Sequence, residues 1–250
     1  GTGESGNAVK FMKLYTNIQT REELERELLK IVRRVNPTQI ARKPVRMAEN
    51  ESETLIGIVR QPFTDIDRQY WGQFGIPLKT LKKFNVFSIK YFLCNNTVRG
   101  IYKNDSPMYA YTVFDKFKIY RPLASKYAKW RTNLTVEHVQ GLEQLPEFGN
   151  LLIITKSLKD VMCLHEMGFS AIASSSETTF IPEDILNNLK ERWKKIIILY
   201  DRDVAGMKNA RKYSKQYGLD AIFVHKKFKA KDVSDAVKSA GFLAVKDWLT

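Results

Sequence analysis

The residues best suited to chemistry are acids that recur where strands end. In IIILYDRDVAG, residues 196–206, the apolar run Ile196, Ile197, Ile198 and Leu199 is followed by Asp201 and Asp203. The run reads as a buried parallel strand, and Ala205 and Gly206 begin a helix. Residues i and i+2 leaving a strand point the same way, and open α/β sheets bind ligands at the carboxyl ends of their strands. Two carboxylates about 4 Å apart repel by about 4 kcal/mol at an effective dielectric of about 20, so a fold that holds them together supplies a cation. Hard oxygen ligands suit Mg2+ or Mn2+. A plainer reading makes the pair an acidic turn in which Asp203 caps the helix. On the metal reading, Asp201→Asn or Asp203→Asn relieves repulsion and leaves folding nearly intact.

Further acids repeat the placement. Asp160 lies one turn into the helix that follows LLIIT, and Asp232 and Asp235 stand in KAKDVSDAVKSAG, shortly after AIFV. The elements that position them alternate: strand LLIIT, helix LKDVMCLHEMG, strand AIA, a helix after Pro182, strand IIILY, helix GMKNARKYSKQYG, strand AIFV. Alternation of this kind means βαβ units around a central parallel sheet. Residues 149–250 are therefore expected to form an α/β domain in which three loop regions of one sheet edge converge.

Residues 1–148 read differently, as an α+β subdomain. Thr20 and Glu23 make a capping box for a helix carrying Leu24, Leu28, Ile31 and Val35, ended by Pro37. Its polar face carries Arg26, Lys30, Arg33 and Arg34, and residues 42–53 read as a loop. Thr64 caps a second helix that closes at Gly75, and Pro77 opens PLKTLKKF. The runs IKYFL, VRGIY, MYAYTVF and KFKIY, separated by Asn and Asp turns, predict a small antiparallel sheet, and TVEHVQGLEQLP predicts a short helix. Residues 1–6, GTGESG, read as a cloning remnant.

Composition narrows the class. With 250 residues and 44% hydrophobic content the chain can build one large or two small cores. Lys and Arg number 41 against 27 Asp and Glu, and a net charge of +14 favours a polyanionic partner such as nucleic acid. Residues 79–131 hold 12 of those cations, only Asp105 and Asp115 as acids, and 12 aromatic residues, so ten of the fourteen excess charges fall there. Cations that hold phosphates beside rings that stack bases suit a single strand, although most such rings belong to the sheet's own core. Only Cys94 and Cys163 occur, without metal-ligand spacing, so a disulfide framework and a zinc site are not indicated and a reducing compartment fits. No apolar run approaches the roughly 18 residues of a membrane span.

DRDVAG followed by KDVSDA, behind a basic aromatic subdomain, resembles the TOPRIM domain as it occurs in DnaG-type and phage DNA primases. The resemblance is close over residues 151–241 and looser over WGQFGIPLKTLKKFNV, KIYRP and KWRTN. It implies a primase RNA-polymerase core that makes short RNA primers from NTPs on single-stranded DNA by two-metal nucleotidyl transfer. Mg2+ or Mn2+ would sit on Asp201, Asp203 and Asp232, with Asp235 as a further ligand and Asp160 as a ligand or supporting acid. Template or NTP phosphates would meet Lys82, Lys83, Lys118, Arg121, Lys126, Lys129 and Arg131, with Asn133 in the same strip. A replicative helicase or another replisome protein is the implied partner, and the cytoplasm of a bacterium or phage-infected host the implied location.

One position departs from the family pattern. A glutamate is expected four residues before Asp160, and Lys156 stands there instead. Either another acid substitutes, Glu177 of SSSET lying at the correct sheet edge, or the activity is altered; Lys156 could also meet a nucleotide phosphate as a point charge. The sequence holds no GxxxxGK[ST] loop and no Cys/His zinc module. A TOPRIM nuclease and a catalytically silent nucleic-acid-binding module are the alternatives.

Overall fold

The computed structural model describes residues 54–176 and 179–250. The expected helix over residues 20–35, the loop at 42–53 and Glu177 lie outside the described residues. Among those described, six strands make an antiparallel sheet and four make a parallel one.

The first sheet is built on β2 (Val86–Cys94), whose residues 89–94 pair with β1 (Ile56–Arg60). One half of β2 pairs with β3 (Thr97–Ile101) and the other with β4 (Tyr109–Val113), which leads to β5 (Lys116–Tyr120) and β6 (Trp130–Thr132). Asn95 and Asn96 turn the β2–β3 hairpin at φ 49° and 62°, left-handed values that asparagine tolerates in two-residue turns. Two short helices, α1 (Asp65–Gly72) and α2 (Leu78–Lys83), cover the sheet's aromatic face. Thr64 caps α1 as expected, and Asp67 completes a full capping box with it.

The second sheet has the order β8-β7-β9-β10, from β7 (Gly149–Thr155), β8 (Ser170–Ala173), β9 (Trp193–Tyr200) and β10 (Asp220–Phe223), all parallel. The helices are α3 (Leu158–Glu166), α4 (Glu183–Arg192), α5 (Val204–Tyr217), α6 (Val233–Ala240) and α7 (Phe242–Leu249). Both faces are covered, which is why the strands read as unbroken apolar runs. On β9, Ile196, Ile198 and Tyr200 face a core with Leu186, Leu189 and Tyr213, whereas Ile197 and Leu199 face the opposite core. That second core is continuous with Trp71, Tyr109, Tyr111 and Tyr120, so the antiparallel and parallel sheets share buried surface. Among the described residues no helix is long and apolar enough to cross a membrane.

The helix expected over TVEHVQGLEQLP is corrected to turns and a single 3-10 turn, Leu142–Gln144. Two contacts account for the change. Gln140 and Ala173 exchange backbone hydrogen bonds of 2.8 and 2.9 Å, which draws the chain out along the edge of β8. Gly141 then sits at φ 86°, a conformation no α-helix contains.

Candidate nucleotide and nucleic-acid site

Three acids of the parallel sheet, Asp160, Asp203 and Asp232, are fixed by the start of a helix. Ser157 caps α3: its Oγ accepts from Asp160 N at 3.2 Å and donates to Asp160 Oδ2 at 2.6 Å. Asp203 caps α5, its Oδ1 accepting from Gly206 N at 2.6 Å. Asp232 caps α6, its Oδ1 accepting from Asp235 N at 2.7 Å and from Ser234 Oγ at 2.8 Å. The polar caps and the abrupt end of each apolar run explain why the turns fall there.

The loops are tied to one another as well. Ser234 N donates to Asp160 Oδ1 at 3.0 Å, and Arg202 reaches the chain before α6 through its backbone N–H to Lys231 O at 3.0 Å and its Nε to Val224 O at 2.6 Å. Gly206 packs against the end of β9 so closely that a Cβ there would lie 2.3 Å from Asp201 O. The glycine of DRDVAG is a steric requirement of this approach.

Asp160, Asp201 and Asp232 line one cavity of about 130 Å³ together with Lys156, Lys159 and Lys231. The antiparallel sheet closes it with Tyr111, Tyr120, Lys129 and Trp130, Tyr120 stacking on Trp130 at 4.3 Å. Lys156 Nζ donates to Asp201 Oδ2 at 3.1 Å, an ion pair in which the two residues are only 7% and 8% exposed. Tyr111 is buried, and its hydroxyl has no hydrogen-bond partner among the described residues.

Burial, and then the charge of Asp232, push the Asp160 carboxyl up to about 7 against the pull of Lys159, Ser157 and Ser234. Burial likewise carries Asp201 to about 6, with Lys156 opposing and Asp232 and Asp203 reinforcing the rise. Lys129 is lowered by burial and by the neighbouring ammonium groups of Lys159 and Lys231. Burial would also lower Lys159, but Tyr120 and the carboxylates of Asp160, Asp232 and Asp235 outweigh it and raise the group.

The residues present do not fit a preformed divalent-metal centre. Among the described residues no three of His, Cys, Asp or Glu are placed to hold one ion. The Asp201 carboxylate is already paired with an ammonium, both Asp160 oxygens accept hydrogen bonds, and one oxygen each of Asp203 and Asp232 is committed to a cap. Four lysines face three aspartates around the cavity, a balance that suits an anion better than a dication.

Among the other residues singled out from sequence, Asp235 follows its cap into α6 half-buried, near Lys129 and Lys159. Asp203 is exposed. Lys126 and Arg131 are exposed beside the cavity's closing strand, and Arg121 is half-buried. Lys118 turns inward, donating to Ser175 O at 2.8 Å with its ammonium 5.0 Å from the Trp130 ring. Asn133 Oδ1 accepts from Phe117 N at 2.8 Å and so braces the β5–β6 edge. Lys82 and Lys83 are exposed on α2, and Lys83 borders a separate hollow of about 470 Å³ with Phe84, His165 and Phe169, at the amino end of β8. Sequence reasoning missed Lys159 and Lys231, although each stands directly before an acid, in LKD and AKD.

Residues 153–237, which include the greater part of the four-stranded parallel sheet and the acids at its carboxyl edge, match the Toprim-like family model. The described fold is that of DnaG-type primase catalytic cores. The primase fragment of the bacteriophage T7 primase-helicase protein is 14% identical with a TM-score of 0.52, over 77% of this chain and 79% of that one. The E. coli primase catalytic core is 17% identical with a TM-score of 0.52, over 75% and 74%. A DnaG primase catalytic domain bound to ssDNA is 17% identical with a TM-score of 0.52, over 75% of each chain. No curated protein matches the chain in sequence.

Proposed function

We propose that the chain is the nucleotide-handling core of a DnaG-type primase, engaging single-stranded DNA and NTPs where its two sheets meet. The observation that carries this reading is the single cavity to which the basic aromatic sheet contributes Lys129 and the parallel sheet contributes Asp160, Asp201 and Asp232. In primer synthesis the 3′-oxygen of one nucleotide bonds to the α-phosphorus of the next, the α–β phosphoanhydride breaks, and pyrophosphate leaves. Asp160, which lines the cavity and whose carboxyl burial carries up to about 7, would take the proton of the 3′-hydroxyl. Lys129, Lys159 and Lys231 would hold the triphosphate and the leaving pyrophosphate, and Lys126 and Arg131 the template backbone.

The Lys156–Asp201 ion pair favours a second reading, in which the same surface binds DNA and nucleotide without joining nucleotides. Incubation with single-stranded DNA and labelled NTPs separates the two. Growth of RNA products that stops in Asp160→Asn supports the primase reading. Binding without products, from protein that otherwise behaves well, leaves the silent module. Shortening of labelled DNA points to a nuclease instead.

A further inference from the structure

We propose that Lys156 is a built-in counter-cation for the site, so that the cavity beside Asp201 takes the phosphate groups of a polyphosphate ligand without a divalent metal ion. The inference rests on the reading of this cavity as the phosphate-handling site of a primase-type core and deepens it by naming what neutralises the acids.

Three independent features lead there. First, the ammonium of Lys156 lies 3.1 Å from Asp201 Oδ2 inside the protein, where a unit charge opposite a carboxylate does the neutralising that a bound cation otherwise does. An entering dication would have to displace or repel that ammonium across a few ångströms of poorly screened space. Second, the lysines around the cavity outnumber its acids, and Lys159 and Lys231 stand close enough to Lys129 to lower it. Mutually repelling ammonium groups gain from an anion placed among them. Third, the buried Tyr111 hydroxyl on the cavity wall has no partner among the described residues, and a phosphate oxygen would accept a hydrogen bond from it. The shared chemistry is a phosphate group, which an NTP or a DNA backbone could bring.

The test uses two probes on the chain as described. Mn2+ alone, titrated by electron paramagnetic resonance, is expected to find no stoichiometric site in the wild type. Lys156→Glu should gain one, with binding roughly tenfold tighter or more, because a cation at the site is replaced by an anion. Inorganic tripolyphosphate, titrated calorimetrically in EDTA, should bind the wild type and should weaken in the Lys129→Ala, Lys231→Ala double variant. Competition by an abasic oligonucleotide against ATP then tells which phosphate source occupies the cavity. Lys156→Gln, checked by circular dichroism, serves if Lys156→Glu fails to fold, and it too should bind Mn2+ more tightly than wild type. Wild-type Mn2+ binding that Asp201→Asn removes, tripolyphosphate binding that requires Mg2+, or folded Lys156 variants with no gain in Mn2+ affinity would each overturn the proposal. Absence of primer synthesis sinks the polymerising reading alone and leaves these titrations unchanged.

Discussion

Ser234 N donates to Asp160 Oδ1 at 3.0 Å across 74 residues of sequence, locking the start of α6 to the first turn of α3. Because Asp160 is 2% exposed and its carboxyl is carried up to about 7, the folded protein keeps a proton that the unfolded chain, titrating near 4, has lost. Between about pH 4 and 7 the native state therefore binds more protons than the unfolded one, and stability falls as pH rises through that window. Asp160→Asn removes this contribution, so denaturation midpoints measured from pH 5 to 8 should fall less steeply than in the wild type, with Asp201 supplying a residual slope of the same sign. Parallel profiles for the two proteins would contradict the placement of Asp160.

Gly206→Ala tests the approach of α5 to β9. The added Cβ would meet Asp201 O at 2.3 Å, a backbone atom that cannot swing aside. Overpacking of this kind costs about 1 to 3 kcal/mol. A lower melting temperature is expected, accompanied by weaker nucleotide binding, since Asp201 must shift. An unchanged melt would mean that the turn relaxes freely.

Asp201→Asn is expected to do more than the sequence alone suggests. Relief of repulsion between Asp201 and Asp203 implied a nearly unchanged fold, but the partner of Asp201 is the buried ammonium of Lys156. Removing one member of a buried pair leaves the other uncompensated, at a cost of about 3 kcal/mol or more. Asp203→Asn should remain close to neutral, because asparagine caps a helix as well as aspartate does. Urea denaturation of the two variants decides between repulsion and pairing as the dominant effect at the end of β9.

What was legible in the chain follows from what is local. The apolar runs that became β7 and β9, the caps at Thr64 and Asp203, and the hairpin at Asn95 and Asn96 depend on neighbours a few residues away. The pairing of Lys156 with Asp201 does not: 45 residues separate them, and only the parallel register of β7 against β9 brings them together. Lys118 illustrates the same limit. Alternation around it suggests a solvent-facing cation, but both faces of β5 are covered, Ile119 packing into one core and Tyr120 into another. The strand β1 and the helix α7 went unread because each is short and supported mainly by tertiary contact, α7 through Trp248 against Phe228 at 5.7 Å. Gly141 misled in the opposite direction, ending by its backbone conformation a helix that side-chain pattern favoured.

The contrast between Lys118 and its exposed neighbours gives a last prediction, on single-stranded DNA. Phosphate contacts release counterions, so each lysine or arginine that truly meets the backbone adds roughly 0.7 to the slope of log affinity against log salt. Lys126 and Arg131 are exposed next to the strand that closes the cavity, and the Lys126→Ala, Arg131→Ala double variant should flatten the slope by about twice that increment. Lys118 spends its ammonium on Ser175 O and the face of Trp130. Lys118→Met should therefore leave the slope as it is and lower stability, by about 1 to 3 kcal/mol, through the unpaired carbonyl it leaves behind. Fluorescence anisotropy across a salt series, with melts of the same proteins, separates the two roles. A flattened slope in Lys118→Met with an unchanged melt would place that lysine on the DNA and undo its assignment to the interior.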